Sequence, residues 1–185
     1  MRFLPKLLAA SLIAFAGLAS ATVVTFEDLH GQGTLASNYA GLTWGAGWGY
    51  YDWAQSPYNA SSGKTRIYNN TGVTTDWFKF SSDVIFDGAY FAGNQKAGFE
   101  LFNDGLLVFT SSLLNLSGNP SFLASGYAGL VDEVRLSVSN GNFVMDDVTY
   151  HSAATAARNT VPEPSSLALM GLGLVGLIVA KRRKV

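Results

Sequence analysis

The chain has 185 residues, a formal net charge of −1 and no cysteine, which excludes a disulfide framework and thiolate chemistry. The charge is unevenly spread: residues 22–160 hold six bases (Lys64, Arg66, Lys79, Lys96, Arg135, Arg158) against twelve acids, a net of −6. A segment that acidic repels phosphate backbones, so nucleic acid is excluded as a partner.

The N-terminus reads as an export signal. Arg2 and Lys6 form a positive region, Leu7 to Leu18 is an apolar run, and Ala19-Ser20-Ala21 puts small residues at −3 and −1 of a cleavage site. That layout is a secretory signal peptide over residues 1–21, cut after Ala21, and the run is short for a membrane span. The partners it implies are the Sec translocon and signal peptidase. A retained N-terminal anchor is the competing reading.

Residues 22–152 are expected to form an all-β ectodomain, one jelly-roll-like β-sandwich. The expected strands are Val23–Phe26, Tyr39–Trp44, Thr65–Tyr68, Thr75–Phe80, Val84–Phe91, Gly98–Phe102, Leu106–Ser111, Val134–Ser139 and Phe143–Tyr150. They are short runs of β-branched and aromatic residues, separated by Gly, Asn, Asp and Ser. No long 3.6-period segment precedes residue 160.

The densest aromatic segment is Trp44-Gly45-Ala46-Gly47-Trp48-Gly49-Tyr50-Tyr51-Asp52-Trp53, with Tyr58 nearby. Two readings compete. Flat rings on a glycine-rich loop suit stacking on sugar rings, with Trp44, Trp48, Tyr50, Tyr51 and Trp53 as the platform and Asp52 and Gln55 bonding hydroxyls. Large rings are also what plugs a sandwich core. The first reading makes segment 44–58 a carbohydrate-binding module with extracellular polysaccharide as partner.

Two hairpins are expected, at Asn103-Asp104-Gly105 and at Asn140-Gly141, because such turns tolerate positive φ. In the second, Val138 faces Phe143, Leu136 faces Met145, Val134 faces Asp147, and Arg135 faces Asp146 as a cross-strand ion pair. Asp147 then falls on the apolar face, where a carboxylate needs a bulge, a donor or a cation. The strand Phe143-Val144-Met145-Asp146-Asp147-Val148-Thr149-Tyr150 is similar to the last strand of galactose-binding-like jelly rolls. No cofactor is expected from the residues themselves; the resemblance implies room for a structural Ca²⁺ between Asp147 and the first-strand acids Glu27 and Asp28, with Glu27 and Asp147 as the candidate ligands.

No catalytic fingerprint appears, and the two histidines, His30 and His151, lie outside metal or triad motifs. The chain is therefore expected not to be an enzyme. A glycan-acting hydrolase needs two carboxylates converging across a cleft. Adjacent acids on one strand point to opposite faces, so such a pair would have to come from different strands.

After a linker at 153–160, the tail carries Pro162-Glu163-Pro164, an uncharged apolar run and the bases Lys181, Arg182, Arg183 and Lys184. The prolines forbid upstream helix and leave the motif extended. A helix over 165–180 is about 24 Å long against a hydrocarbon core of about 30 Å. Snorkelling and local thinning close that gap, and the four bases act as a cytoplasmic stop-transfer cluster. A permanent single-pass anchor is one reading. In order and position, however, residues 161–185 resemble the PEP-CTERM sorting signal of Gram-negative bacteria. The resemblance implies an exosortase that recognises Pro162, Glu163 and Pro164, an inner-membrane-anchored precursor, and association with cell surface, exopolysaccharide and biofilm matrix.

Overall fold

Apolar side chains at every second position force this chain into strands, and the strands pair so that one row of rings faces another. The computed structural model describes residues 20–69, 75–138 and 142–153. Thirteen strands follow in order: β1 Thr22–Val24, β2 Gln32–Thr34, β3 Asn38–Tyr39, β4 Leu42–Trp44, β5 Trp48–Tyr51, β6 Arg66–Asn69, β7 Thr75–Gly93, β8 Lys96–Asn103, β9 Leu106–Thr110, β10 Leu114–Asn115, β11 Ser121–Ala124, β12 Val131–Val138 and β13 Phe143–Ser152. Residues 1–19 of the expected signal peptide and residues 154–185, including the expected C-terminal helix, lie outside the described residues.

Strand β7 joins the two layers. Its first part pairs with β12 and β4, and its second with β13 and β11. Between them the ladder jumps from Lys79↔Glu133 to Val84↔Val131, so Ser81, Ser82 and Asp83 bulge into solvent. Two strands expected from the sequence are thus one. The first layer continues through β12 to β8 and its edge partners β9 and β10; the second runs β7–β13–β6–β5–β2, with β1 on the far end of β13. The layers are open at their edges.

The core lies between the layers. Phe86 and Phe91 of the second meet Phe99 of the first, with ring centroids 4.9 and 5.6 Å apart. Phe78, Val134, Leu136, Leu101, Ile67, Met145 and Val148 fill the remainder, all fully buried. Ring pairs at these separations add to the area term.

The hairpin at residues 103–106 forms, with Asn103 opposite Leu106 and both Asp104 (φ 51°) and Gly105 (φ 76°) in the left-handed region. The turn expected at Asn140-Gly141 lies outside the described residues, and the two strands it is expected to join do not pair with each other. Strand β12 lies between β8 and β7, and β13 lies on the other part of β7, so the expected register of β12 against β13 is not formed. The turn signal is local, whereas β12 gains two partner strands and a fully buried inner face by crossing over. Arg135 bonds Glu133 instead of Asp146, with Nε to Oε1 2.6 Å, while Lys79 Nζ reaches Glu133 Oε2 at 2.8 Å.

Candidate functional site: an aromatic groove on a braced loop

The segment that read as a ring-bearing loop is divided by the tertiary structure. Trp44 and Trp48 belong to strands β4 and β5, are 2 % and 0 % exposed, and pack edge to face at 5.6 Å. Their indole N–H groups donate to the carbonyls of Tyr39 and Trp77, so both are satisfied core residues and offer no face to a ligand. Tyr50 turns toward the same core. Tyr51 takes the opposite side of β5, where it packs with Ala92, Val144, Tyr58 and Tyr68 on the outer surface of the second layer. Trp53, just beyond β5, is 46 % exposed.

Tyr51, Trp53, Tyr58 and Tyr68 line one pocket of about 400 Å³, together with Gln32, Gln55, Asn142, Phe143 and Val144. The lining combines aromatic faces with three side-chain amides. Burial pushes the Tyr51 hydroxyl up from its ordinary value, against the opposing pull of Arg66, so it serves as a neutral donor. Tyr51 and Trp53 rings lie 4.9 Å apart and tilted by 45°. Gln32 Nε2 donates to Tyr68 Oη at 3.2 Å. Residues as far apart as Gln32 and Asn142 meet because β2, β5, β6 and β13 are consecutive in the layer. No sequence signal linked Gln32, Tyr68 or Asn142 to the aromatic segment.

The loop between β5 and β6 that shapes the groove is tied down by polar groups. Arg66 donates from Nε to Tyr58 O, from Nη1 to Lys64 O and from Nη2 to Trp53 O, at 2.9, 2.8 and 2.5 Å. Asp52 Oδ2 accepts from the Gly31 amide at 2.8 Å, so it braces the turn before β2. Asn59 Nδ2 donates to Gly118 O.

Three acids hold the other side of the loop. Asp146 Oδ2 accepts from the amides of Ser61 and Ser62 at 2.8 and 3.1 Å, and its Oδ1 accepts from the Asp147 amide at 2.8 Å. Burial pushes the Asp146 carboxyl up to about 7, with the amides pulling the other way and the Asp147 charge adding to the rise. Asp147 sits at φ 49° where the β13–β7 register shifts, and its Oδ1 accepts from Ser62 Oγ at 2.7 Å. Both the bulge and the donor expected for an acid on the apolar face are present. Glu27 accepts from the amides of Lys64 and Thr65, one on each oxygen.

These contacts do not suit calcium. A Ca²⁺ site needs carboxylate and carbonyl oxygens aimed at one point. Here both oxygens of Glu27 meet N–H groups, Asp147 meets a hydroxyl, and among the described residues no three acidic or histidine groups converge. Glu27 and Asp146 act as anchors for backbone amides and Asp147 for the Ser62 hydroxyl, roles the pairing of Glu27 with Asp147 in sequence did not indicate.

No convergent carboxylate pair lines the groove: the first pocket has no acid, and a neighbouring one of about 500 Å³ has Asp52 alone. His151 Nδ1 and Asp87 Oδ2 lie 2.7 Å apart, with Asp87 on β7 and His151 on β13, and neither lines either pocket.

Among solved structures, the fold is similar to mutants of CBM29-2, studied for ligand recognition by family 29 carbohydrate binding modules. One matches with a TM-score of 0.43 and 16 % identity over 72 % of this chain and 92 % of that one. A second matches with a TM-score of 0.43 and 15 % identity over 72 % and 91 %. No curated protein matches the chain in sequence, and no enzyme family is indicated. At the C-terminus, residues 160–184 match the model of the PEP-CTERM protein-sorting motif, marking an exported, membrane-anchored precursor of the kind that exosortase processes.

Proposed function

We propose that this is a cell-surface or extracellular-matrix protein of a Gram-negative bacterium, exopolysaccharide- and biofilm-associated and without catalysis of its own. The sorting motif at residues 160–184 carries this reading. In it, residues 1–21 are removed after Ala19-Ser20-Ala21 by signal peptidase following Sec export. A helix over 165–180 and the bases 181–184 then hold the precursor in the inner membrane. Exosortase cuts near Pro162-Glu163-Pro164, and the jelly-roll-like ectodomain of 22–152 leaves with linker 153–160. Replacing Glu163 by Ala should trap the full-length chain in the membrane fraction. Release at the wild-type rate in that variant would defeat the sorting reading.

A second reading concerns what the ectodomain does after release: it binds carbohydrate. The supporting observation is the groove in which Tyr51, Trp53, Tyr58 and Tyr68 meet Gln32, Gln55 and Asn142. Aromatic faces match the apolar faces of sugar rings, and amides both donate to and accept from hydroxyls. A hydrolase is disfavoured by the pocket linings, which lack paired acids. Pull-down on the matrix polysaccharide of the producing cell tests the binding reading. Retention of the wild type with loss in Trp53→Ala is expected, and equal behaviour of the two proteins would sink it.

A further inference from the structure

Trp53 lines two pockets, and it is their common wall. On one side lies the neutral aromatic groove; on the other lies the pocket of about 500 Å³ bounded by Asp52, Asn59, Lys64 and Arg66 among others. The two sides differ in charge. The first is lined by amides, phenols and apolar groups, with no charged side chain. The second has two cations and one carboxylate, and that carboxylate accepts from the Gly31 amide.

Arg66 is the unusual member. It is 2 % exposed, and among the described residues no carboxylate lies within ion-pair distance of it. Its donors go to the carbonyls of Tyr58, Lys64 and Trp53, which neutralise none of its charge. A buried cation without an anion is costly, and the pocket beside it is where an anion would offset that cost. Lys64 adds an exposed ammonium at the same pocket. In a segment whose net charge is −6, this is a local positive site.

We infer that the second pocket takes the carboxylate of a uronic acid residue, within a glycan chain that crosses Trp53 and places a neutral sugar in the aromatic groove. This rests on the carbohydrate-binding reading and names the ligand's class. Lys64 meets the carboxylate directly, and Arg66, held by three carbonyls, supplies a fixed field. Trp53 stacks under the linkage between the two sugars.

The test is titration of the full-length chain in mild detergent with oligomannuronate hexamer and with cellohexaose. The mannuronate should bind about fivefold more tightly at low salt, an advantage that shrinks as ionic strength rises. Lys64→Gln should remove that advantage and leave cellohexaose unchanged; its side chain is exposed and its loop-bracing groups are backbone. Equal affinities, or indifference of the mannuronate to Lys64→Gln, would overturn the inference alone. If the wild type retains its own matrix polysaccharide while failing to bind mannuronate, the inference again falls and the carbohydrate reading stands. If neither is bound, both fall together.

Discussion

The Arg66 guanidinium carbon lies 3.9 Å from the centroid of the Tyr51 ring, so the cation that fastens the β5–β6 loop also packs against a ring that lines the groove. One side chain therefore both holds the Trp53 carbonyl and packs on the Tyr51 ring. A planar fork donates from three separate nitrogens to carbonyls set apart from one another, whereas an ammonium must place all its donors on one atom.

Arg66→Lys is accordingly expected to destabilise the fold by about 2–4 kcal/mol, because a buried charge would lose most of its hydrogen bonds. Hydrogen exchange should then quicken between residues 53 and 65 more than in β7 or β12. Uniform protection across the sheet in that variant would show that Arg66 does not brace the loop.

The two tryptophan environments give opposite expectations. Trp48→Ala removes a fully buried ring and should cost about 3–5 kcal/mol. Trp53→Ala removes a ring that is 46 % exposed and should change stability by about 1 kcal/mol or less, while removing polysaccharide retention. Chemical denaturation of both variants beside the pull-down checks the split. Similar losses of stability would mean that Trp53 is a structural plug.

Gly63 has φ +49°, and a Cβ there would lie 2.0 Å from a Glu27 carboxylate oxygen. Gly63→Ala thus combines left-handed strain with displacement of Glu27 from the Lys64 and Thr65 amides. A loss of about 2 kcal/mol is expected, partly recovered in the double variant with Glu27→Ala, since the clash goes with the side chain. A double variant no better than the sum of the singles would argue against Glu27 as the obstruction.

Stability should fall as pH rises from 5 to 8. Burial raises the Asp76 carboxyl from 3.8 to about 6, and its Oδ2 has no hydrogen-bond partner. Burial likewise raises Asp146 to about 7. A group that holds its proton more tightly in the fold stabilises most below its unfolded pKa, and that contribution is lost as pH passes the folded value. Glu133 moves the other way. Burial opposes its charge, but Lys79 and Arg135 hold its carboxyl below 4.5, so its contribution changes only under more acidic conditions. Asp76→Asn should flatten the pH slope and raise stability at pH 8 by about 3 kcal/mol or less, the upper figure being the full displacement of its pKa from 3.8 to about 6. Melting curves between pH 5 and 8 decide it; a slope unchanged in that variant would place the titration elsewhere.

Much of the fold class was legible because strand signals are local. Phe99 and Leu101 alternate with outward residues on β8, and Asp104-Gly105 can take positive φ at little cost. The sorting motif at 160–184 was legible for a similar reason: a peptidase reads it as a linear string. The turn at Asn140-Gly141 misled because its local preference says nothing of β7, a strand about fifty residues upstream that separates β12 from β13.

The candidate site divides along the same line. The sequence by itself determined that rings would be dense between Trp44 and Trp53, that the acids would outnumber the bases, and that the chain would fold as strands. Only the tertiary structure decided that Trp44 and Trp48 face inward while Trp53 faces out. Those rings lie on different strands and beyond a turn, so the two-residue alternation that sets faces within a strand does not carry from one to the next. It likewise decided that Glu27 and Asp146 hold backbone amides, that Asp147 holds the Ser62 hydroxyl, and that Arg66 faces carbonyls instead of an acid. A charged group's partner is fixed by what the packed sheet brings near it, and that information is non-local.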